Sequence, residues 1–292
     1  MKLYFLPNFI GSIVVLFLGG LSFLKNRKLL ENKLFFLFSI CCFLWLFFYG
    51  LNYFHSDQNL SEYYLKIGYT GVIFITILIY HFTVIFFGIF HREKKLVISS
   101  YIIGFLFLIS LWFSSLFVDI CGYKYFWGYY PKASVLHPLY MSFVSFLIFR
   151  TTYFYYYFLK YGKLSLLKSH QTKYLFLGFG IFVLAGLDFL QNYGVEFYPI
   201  GFFFVLLYTL LTSYAIIKHR LLDIRIAITR VTIFIVVYFF VLGIPFLIGY
   251  ISKSWLFSTS IAIVFASFGP FIYDKLRRQT ERLFLIEQIK YQ

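Results

Sequence analysis

Two ionisable side chains interrupt stretches of sequence that are otherwise apolar, and they are the first candidates for chemistry. Arg150 and Asp188 each lie within a run of about 20 largely uncharged residues. A charge at the centre of a bilayer costs roughly 2.5–3.5 kcal/mol on insertion scales, so such residues are usually retained for a function or a specific partner. His81 is expected at a depth close to that of Arg150, which would give a polar cluster.

Two interpretations of this pair remain open. At about 1.5 Å of rise per residue, Arg150 and Asp188 differ in depth by about 9 Å, a gap that an arginine side chain could largely bridge. They could form a static ion pair that holds two helices together. Alternatively, they could flank a ligand or switch site.

A second candidate is the aromatic connection "DICGYKYFWGYYPKASVLH", residues 119–137, in which glycines and Pro131 predict turns. Aromatic residues at a membrane edge usually form an interfacial belt. The sharper alternative is a lid over an outward-facing pocket, with Trp127 and Tyr130 in contact with the ligand.

Composition indicates what positions these residues. The chain is 61% hydrophobic and 13% charged, with a mean hydropathy of +0.83, which excludes an ordinary soluble domain. Runs without strand-like alternation predict helices, because a bilayer admits only helices or closed barrels. We therefore predict an all-α, polytopic membrane helix bundle. Nine spans are expected near 3–24, 34–54, 67–90, 96–118, 138–159, 174–195, 197–217, 231–252 and 255–273.

The basic residues predict the orientation of these spans. Twenty of the 26 Lys and Arg residues lie in alternate connections and in the tail, whereas five lie in the other connections. Positive charge marks the cytoplasmic side, so the N-terminus is expected outside and the C-terminus in the cytoplasm, across the inner (cytoplasmic) membrane. The net charge of +15 mostly reflects this topology. The expected partner is therefore the lipid bilayer, with no nucleic acid.

The connection "KHRLLDIRIAITR", residues 218–230, joins the seventh and eighth spans. Its basic residues are expected to anchor it at the cytoplasmic surface. The tail 274–292 contains good helix formers and a weak heptad pattern, which indicates either a solvated helix or the start of a coiled coil through which a homodimer would form.

Four stretches carry a resemblance to a known family. They are "IYHF" (79–82), "WGYYPKASVLHPLY" (127–140), "GLDFLQNYGVEFYPIG" (186–201) and "YAIIKHRLLDIRIAITR" (214–230). Together, and in this order, they resemble the N-terminal seven-transmembrane region of bacterial sensor histidine kinases. The chain departs from that pattern at Gln191, where proline is frequent.

The resemblance implies a division of the chain. Residues 1–217 would be the seven-transmembrane sensor, 218–230 the basic connector, 231–273 two further spans, and 274–292 the start of a cytoplasmic signalling helix. It also implies a signal-input module with an unknown ligand, whose cytoplasmic kinase output lies outside this chain. In such a module Arg220, Asp223 and Arg225 would be candidates for transmitting a signal between the helices that flank the connector. No catalytic domain is expected here. A transporter or channel subunit is the alternative.

No metal or cofactor site is predicted from the sequence. Neither an HExxH nor a GxSxG spacing occurs, and no lysine lies within a predicted span to hold retinal. Cys41 and Cys42 are expected as apolar fillers of the second helix, and Cys121 is the only cysteine expected outside, so no disulfide is predicted.

Overall fold

The computed structural model describes residues 3–55 and 57–217 and, beyond these, only isolated helical residues between 237 and 275. The chain divides into two compact units, Met1–Ile216 and Ile217–Gln292. In the second unit Val237 and Val241 are buried, and the backbone of Gly269 lies close to the Val241 side chain.

Seven helices form the first unit, and each coincides with one of the first seven predicted spans. They are α1 (Leu6–Lys25, after a 3-10 turn at Leu3–Phe5), α2 (Leu30–Phe54), α3 (Gln58–Phe86), α4 (Phe90–Phe113), α5 (His137–Tyr161), α6 (Leu166–Val183, continued by a 3-10 helix at Leu184–Tyr193) and α7 (Gly201–Ile217).

The helices are of the kind that crosses membranes. Five described segments are long and apolar enough to do so, namely α1 to α4 and Lys168–Tyr193, and Gly201–Ile216 is a shorter apolar helix. This confirms a membrane helix bundle. The eighth and ninth predicted spans are described only at separate residues and not as continuous helices, so the count of nine stays a prediction.

Helix α3 lies at the centre of the bundle. In α3, 78% of the most apolar 18-residue stretch is buried inside the bundle. In α4 the corresponding share is 28%, so α4 lies at the periphery. Small residues let α2 approach α3 closely: a Cβ at Gly68 would come within 2.7 Å of the Tyr49 ring, and one at Gly71 would meet the carbonyl of Cys41. Such close backbone approach is a common basis of helix packing in membranes.

The connection between α4 and α5 is a β-hairpin, which the sequence analysis did not predict. Strand β1 (Val118–Tyr125) pairs antiparallel with β2 (Gly128–Ala133), with an irregular register between Asp119 and Tyr123. The turn ends at Gly128, whose φ of +155° is accessible essentially only to glycine. Pro131 lies within β2 rather than at a turn.

Candidate functional site

Asp188 lies in the 3-10 helix and is only 6% exposed. Its Oδ1 accepts hydrogen bonds from the backbone N–H of Ile200 and of Gly201, both at 3.0 Å, and the Gly201 N–H also reaches Oδ2 at 3.0 Å. Because Gly201 begins α7, the carboxylate satisfies N–H groups that a helix start leaves unpaired, next to the positive end of the helix dipole. Asp188 therefore caps α7 from a different helix.

The local backbone explains how Asp188 reaches that position. A 3-10 helix has three residues per turn, so residues three apart lie on one face. Ala185, Asp188 and Gln191 are buried along that face. The segment ends at Gly194 in the left-handed region (φ +93°), where the chain turns back toward α7. Gly201 must lack a side chain, because a Cβ there would collide with the Asp188 carboxylate.

A cavity of about 90 Å³ lies beside this carboxylate. Its walls come from α2, α3, α5, the hairpin and the end of α6 with the following 3-10 helix, and they are mainly aromatic and aliphatic. The lining residues that carry polar atoms are Trp45, Tyr49, Tyr69, Thr76, Tyr130, Ser145, Asp188 and Asn192. An apolar pocket with a few convergent polar groups is the usual form of a small-molecule site.

The hairpin covers this cavity, and Tyr130 connects the two. Tyr130 is 3% exposed, lines the cavity, and donates a hydrogen bond from its hydroxyl to the backbone carbonyl of Asp188 (2.9 Å). Trp127 is 1% exposed and stacks on Tyr125, but it is not among the cavity-lining residues. Of the two residues proposed from the sequence as ligand contacts, Tyr130 therefore lines this cavity and Trp127 does not. Neither ring is an exposed interfacial anchor.

Three further hydrogen bonds fix the hairpin against its neighbours. Asn52 at the end of α2 donates to the Tyr129 carbonyl (2.8 Å), and Asn192 donates to the Pro131 carbonyl (3.1 Å). Tyr125 donates from its hydroxyl to the Gln191 carbonyl (2.8 Å). Both strands are thus tied to the helices that form the cavity.

The tyrosines around the site remain protonated at physiological pH. Burial, and after it the negative charge of Asp188, raises the pKa of Tyr198 to about 12. Burial likewise raises the pKa of Tyr125 to about 12. These hydroxyls consequently act as neutral hydrogen-bonding groups.

The predicted pairing of Arg150 with Asp188 is wrong. The Arg150 guanidinium donates to Glu93, from Nη2 to Oε1 at 2.6 Å and from Nε to Oε2 at 3.3 Å. Tyr80 on α3 donates its hydroxyl to the same carboxylate at 2.8 Å. Glu93 was expected in the connection between the predicted spans 67–90 and 96–118. However, α4 already begins at Phe90, so Glu93 lies in its first turn and is 3% exposed. Long arginine side chains extend toward a membrane edge in this way.

His81 does not join the Arg150 cluster. Its Nδ1 lies 3.0 Å from the Tyr101 hydroxyl on α4, and its Nε2 is buried without a hydrogen-bond partner among the residues described here. The polar cluster contains the preceding residue, Tyr80, because successive helical residues point in different directions.

His137 is a site residue that the sequence analysis did not single out. It begins α5, is fully buried, and contacts two tyrosine hydroxyls: Tyr69 at 2.7 Å from Nε2 and Tyr193 at 2.8 Å from Nδ1. A neutral imidazole donates one of these bonds and accepts the other. Because Tyr69 lines the cavity, His137 helps to hold one of its walls. Its position directly before Pro138, at a helix start, was the available signal.

The remaining predicted residues lie outside this description. Arg220, Asp223 and Arg225, and the tail 274–292 except for Asp274 and Lys275, are outside the described residues. Within the described part of the chain no group of three or more metal-ligating side chains occurs, and the three cysteines are free.

Comparison with known proteins defines the class. The model of the N-terminal 7TM region of histidine kinase matches residues 7–225, about three quarters of the chain. The chain belongs to this family, a membrane sensor region, as the four quoted stretches predicted. Searches of curated proteins and of solved structures find no match.

Proposed function

We propose that this chain is the signal-input module of a sensor kinase and that the Asp188 cavity is where the input is received. One observation carries this assignment: the carboxylate beside the cavity also caps the first turn of α7. A single side chain thus touches both the candidate ligand site and a helix that leads toward the C-terminal part of the chain.

This arrangement supplies a coupling between the cavity and α7. A ligand that changes the position or charge of Asp188 changes how well the α7 N-terminus is satisfied, and a difference in capping of about 1 kcal/mol is typical. Ligands shift a conformational equilibrium only by such differential interactions. Movement of α7 would pass to the connector 218–230, where Arg220, Asp223 and Arg225 are the proposed transmitting residues.

The remaining features of the proposal concern the whole membrane protein. The distribution of Lys and Arg supports nine spans in the inner membrane, with the N-terminus outside and the C-terminus in the cytoplasm. The output would be a cytoplasmic histidine kinase core reached through residues 274–292, and a homodimer would form through that helix. This chain would carry no catalytic domain of its own.

A fusion protein tests the proposal. A soluble kinase core joined after Gln292 in several helical registers should autophosphorylate at a level that depends on register, because a signalling helix transmits rotation and position. Identical activity in every register would contradict a transmitting role. Substrate flux through proteoliposomes of the purified chain would favour the transporter alternative.

A further inference from the structure

The cavity beside Asp188 combines a carboxylate with aromatic walls. Trp45, Tyr49, Tyr69 and Tyr130 all line it, and the rings of Tyr49 and Tyr130 meet edge to face at 5.7 Å. Aromatic rings attract cations through their negative faces, and such sites bind ammonium groups when they exclude water. The same walls offer little to an anion.

The hydrogen bonding of Asp188 leaves one acceptor position open. A carboxylate has about four lone-pair positions on its two oxygens. Oδ1 accepts from Ile200 and Gly201, whereas Oδ2 accepts only from Gly201. Among the described residues no Lys, Arg or His forms an ion pair with Asp188. A buried carboxylate without a counter-ion is costly, so a bound cation would be stabilised there.

The cavity opens at the side of the bundle. Ser145 on α5, and Val183 and Gly186 on the opposite wall, line the cavity and are also exposed. A Cβ added at Gly186 would meet no heavy atom within 4 Å. At this mouth Val183 and Gly186 belong to the segment Lys168–Tyr193, which is long and apolar enough to cross a membrane, so an apolar chain would leave the cavity along an apolar surface.

We propose that the cavity binds a small alkylammonium ion. An N–H of the ammonium group donates to Oδ2 of Asp188 between the aromatic walls, and the alkyl chain points toward the mouth. An engineered cavity of about 150 Å³ holds benzene, so a cavity of about 90 Å³ suits a head group and a short alkyl chain. The role of this site as a sensor input rests on the proposed function, but the binding itself does not.

The test compares two probes of equal size and different charge. Isothermal titration of the purified 292-residue chain in nanodiscs would use n-butylammonium and, in parallel, 1-butanol. We expect saturable binding of n-butylammonium that is about tenfold or more tighter than that of 1-butanol, because only the cation gains a charge-assisted hydrogen bond and ring contacts. Equal affinities, or no saturable binding of the cation, would overturn the proposal.

Two substitutions assign binding to this cavity. Asp188→Asn keeps an oxygen for the α7 cap but removes the charge, and it should weaken n-butylammonium by about tenfold or more. Its control is Asp119→Asn, the same change at an exposed hairpin position.

Ser145→Leu plugs the mouth without changing charge and should abolish binding, with Ser142→Leu on the same helix as its control. If Asp188→Asn does not fold, Ser145→Leu decides, and unchanged affinity in that variant overturns the proposal.

Failure of this inference is distinguishable from failure of the proposed function. If n-butylammonium does not bind but Asp188→Asn alters the output of the kinase fusion, the ligand class is wrong and the input site stands. If n-butylammonium binds through Asp188 but Asp188→Asn leaves the output unchanged, the binding site stands and its sensory role falls.

Discussion

At the scale of single residues, Asp188 and Arg150 have separate partners and therefore separate roles. Asp188 caps α7 beside the cavity, whereas Arg150 forms an ion pair with Glu93 that links α4 and α5. The static pair of Arg150 with Asp188 considered from the sequence is not formed, because Arg150 pairs with Glu93 instead. The Asp188 site is consequently free of a basic side chain among the residues that the structure describes.

The capping role of Asp188 gives a stability prediction. Asp188→Ala removes both accepted N–H bonds, and we expect it to lower the free energy of unfolding by about 1–2 kcal/mol. Asp188→Asn should lower the free energy of unfolding by only about a few tenths of a kcal/mol, since asparagine and aspartate cap helices about equally well. Unfolding by SDS titration in mixed micelles measures both. Equal losses for the two variants would contradict the cap.

The ion pair of Arg150 gives a second prediction. Glu93→Gln leaves the guanidinium without a counter-charge, and we expect a loss of about 2 kcal/mol. This is less than the 3–5 kcal/mol of a wholly buried pair, because the Arg150 side chain is 32% exposed. Glu62→Gln, in the exposed pair with Lys66, is the matched control and should cost about 0.3–0.5 kcal/mol. A similar cost for both variants would show that the Arg150 pair is not structural.

The sequence could identify Arg150 and Asp188 as unusual, because a charge within an apolar run is visible without a structure. It could not identify their partners. Glu93 lies in a charged segment that is typical of a connection, and only the early start of α4 turns it inward. The N–H donors to Asp188 are backbone groups, which leave no signal in residue types.

At the scale of secondary-structure elements, the hairpin is the least expected feature. Its aromatic residues were interpreted as a belt or a lid in an irregular connection. The alternation around "YKY" followed by Gly128 is typical of a β-hairpin, but the strands are short and carry a register irregularity. Helices, in contrast, follow directly from the length of the apolar runs.

The turn of the hairpin gives a prediction at this scale. Gly128→Ala places a Cβ in a backbone region that disfavours it and within 3.1 Å of the Tyr53 ring, so we expect a loss of about 1–3 kcal/mol and a cavity less well covered. Gly180→Ala is the control, because a Cβ there meets nothing within 4 Å in the interior of α6, where alanine is favourable. Thermal unfolding in nanodiscs should separate the two variants, and equal melting temperatures would argue against a rigid hairpin.

Labelling of Cys121 on β1 measures two properties: the environment of its thiol, and the side of the membrane on which the hairpin lies. Burial, followed by the charges of Glu62 and Asp119, raises the pKa of its thiol to about 11 from an ordinary 9.0. Only the thiolate reacts, so at pH 8 maleimide labelling should be about 100-fold slower than for an ordinary thiol and should rise about tenfold per pH unit up to about pH 11.

The same labelling tests the orientation. An impermeant maleimide added to intact cells should label Cys121 without permeabilisation, since the hairpin is expected outside, and Cys121→Ser should remove the signal. Labelling that requires permeabilised membranes would reverse the topology. A rate that levels off near pH 9 would instead contradict the buried environment of the thiol.

At the scale of the whole molecule, the bundle places a mainly apolar cavity with one carboxylate beneath the hairpin, and it places the Arg150–Glu93 ion pair between α4 and α5. The family match covers residues 7–225, so the sensor class follows from the sequence, whereas the helices show a membrane helix bundle. In the proposed function, the route from α7 to an output would run through residues 218–230 and 274–292, for which the sequence offers charge and heptad patterns only. Helix packing within the first unit could not be foreseen, because close approaches such as that at Gly71 depend on three-dimensional register.

The most direct test of the account is the autophosphorylation rate of the kinase fusion carrying Asp188→Asn, compared with the unsubstituted fusion at equal abundance in the same membranes. The account expects normal abundance and a rate changed by about fivefold or more, because the cavity and the output share a coupling free energy of at least about 1 kcal/mol. Asp119→Asn should leave the rate unchanged. An unaltered rate in Asp188→Asn at normal abundance would contradict a sensory role for the cavity.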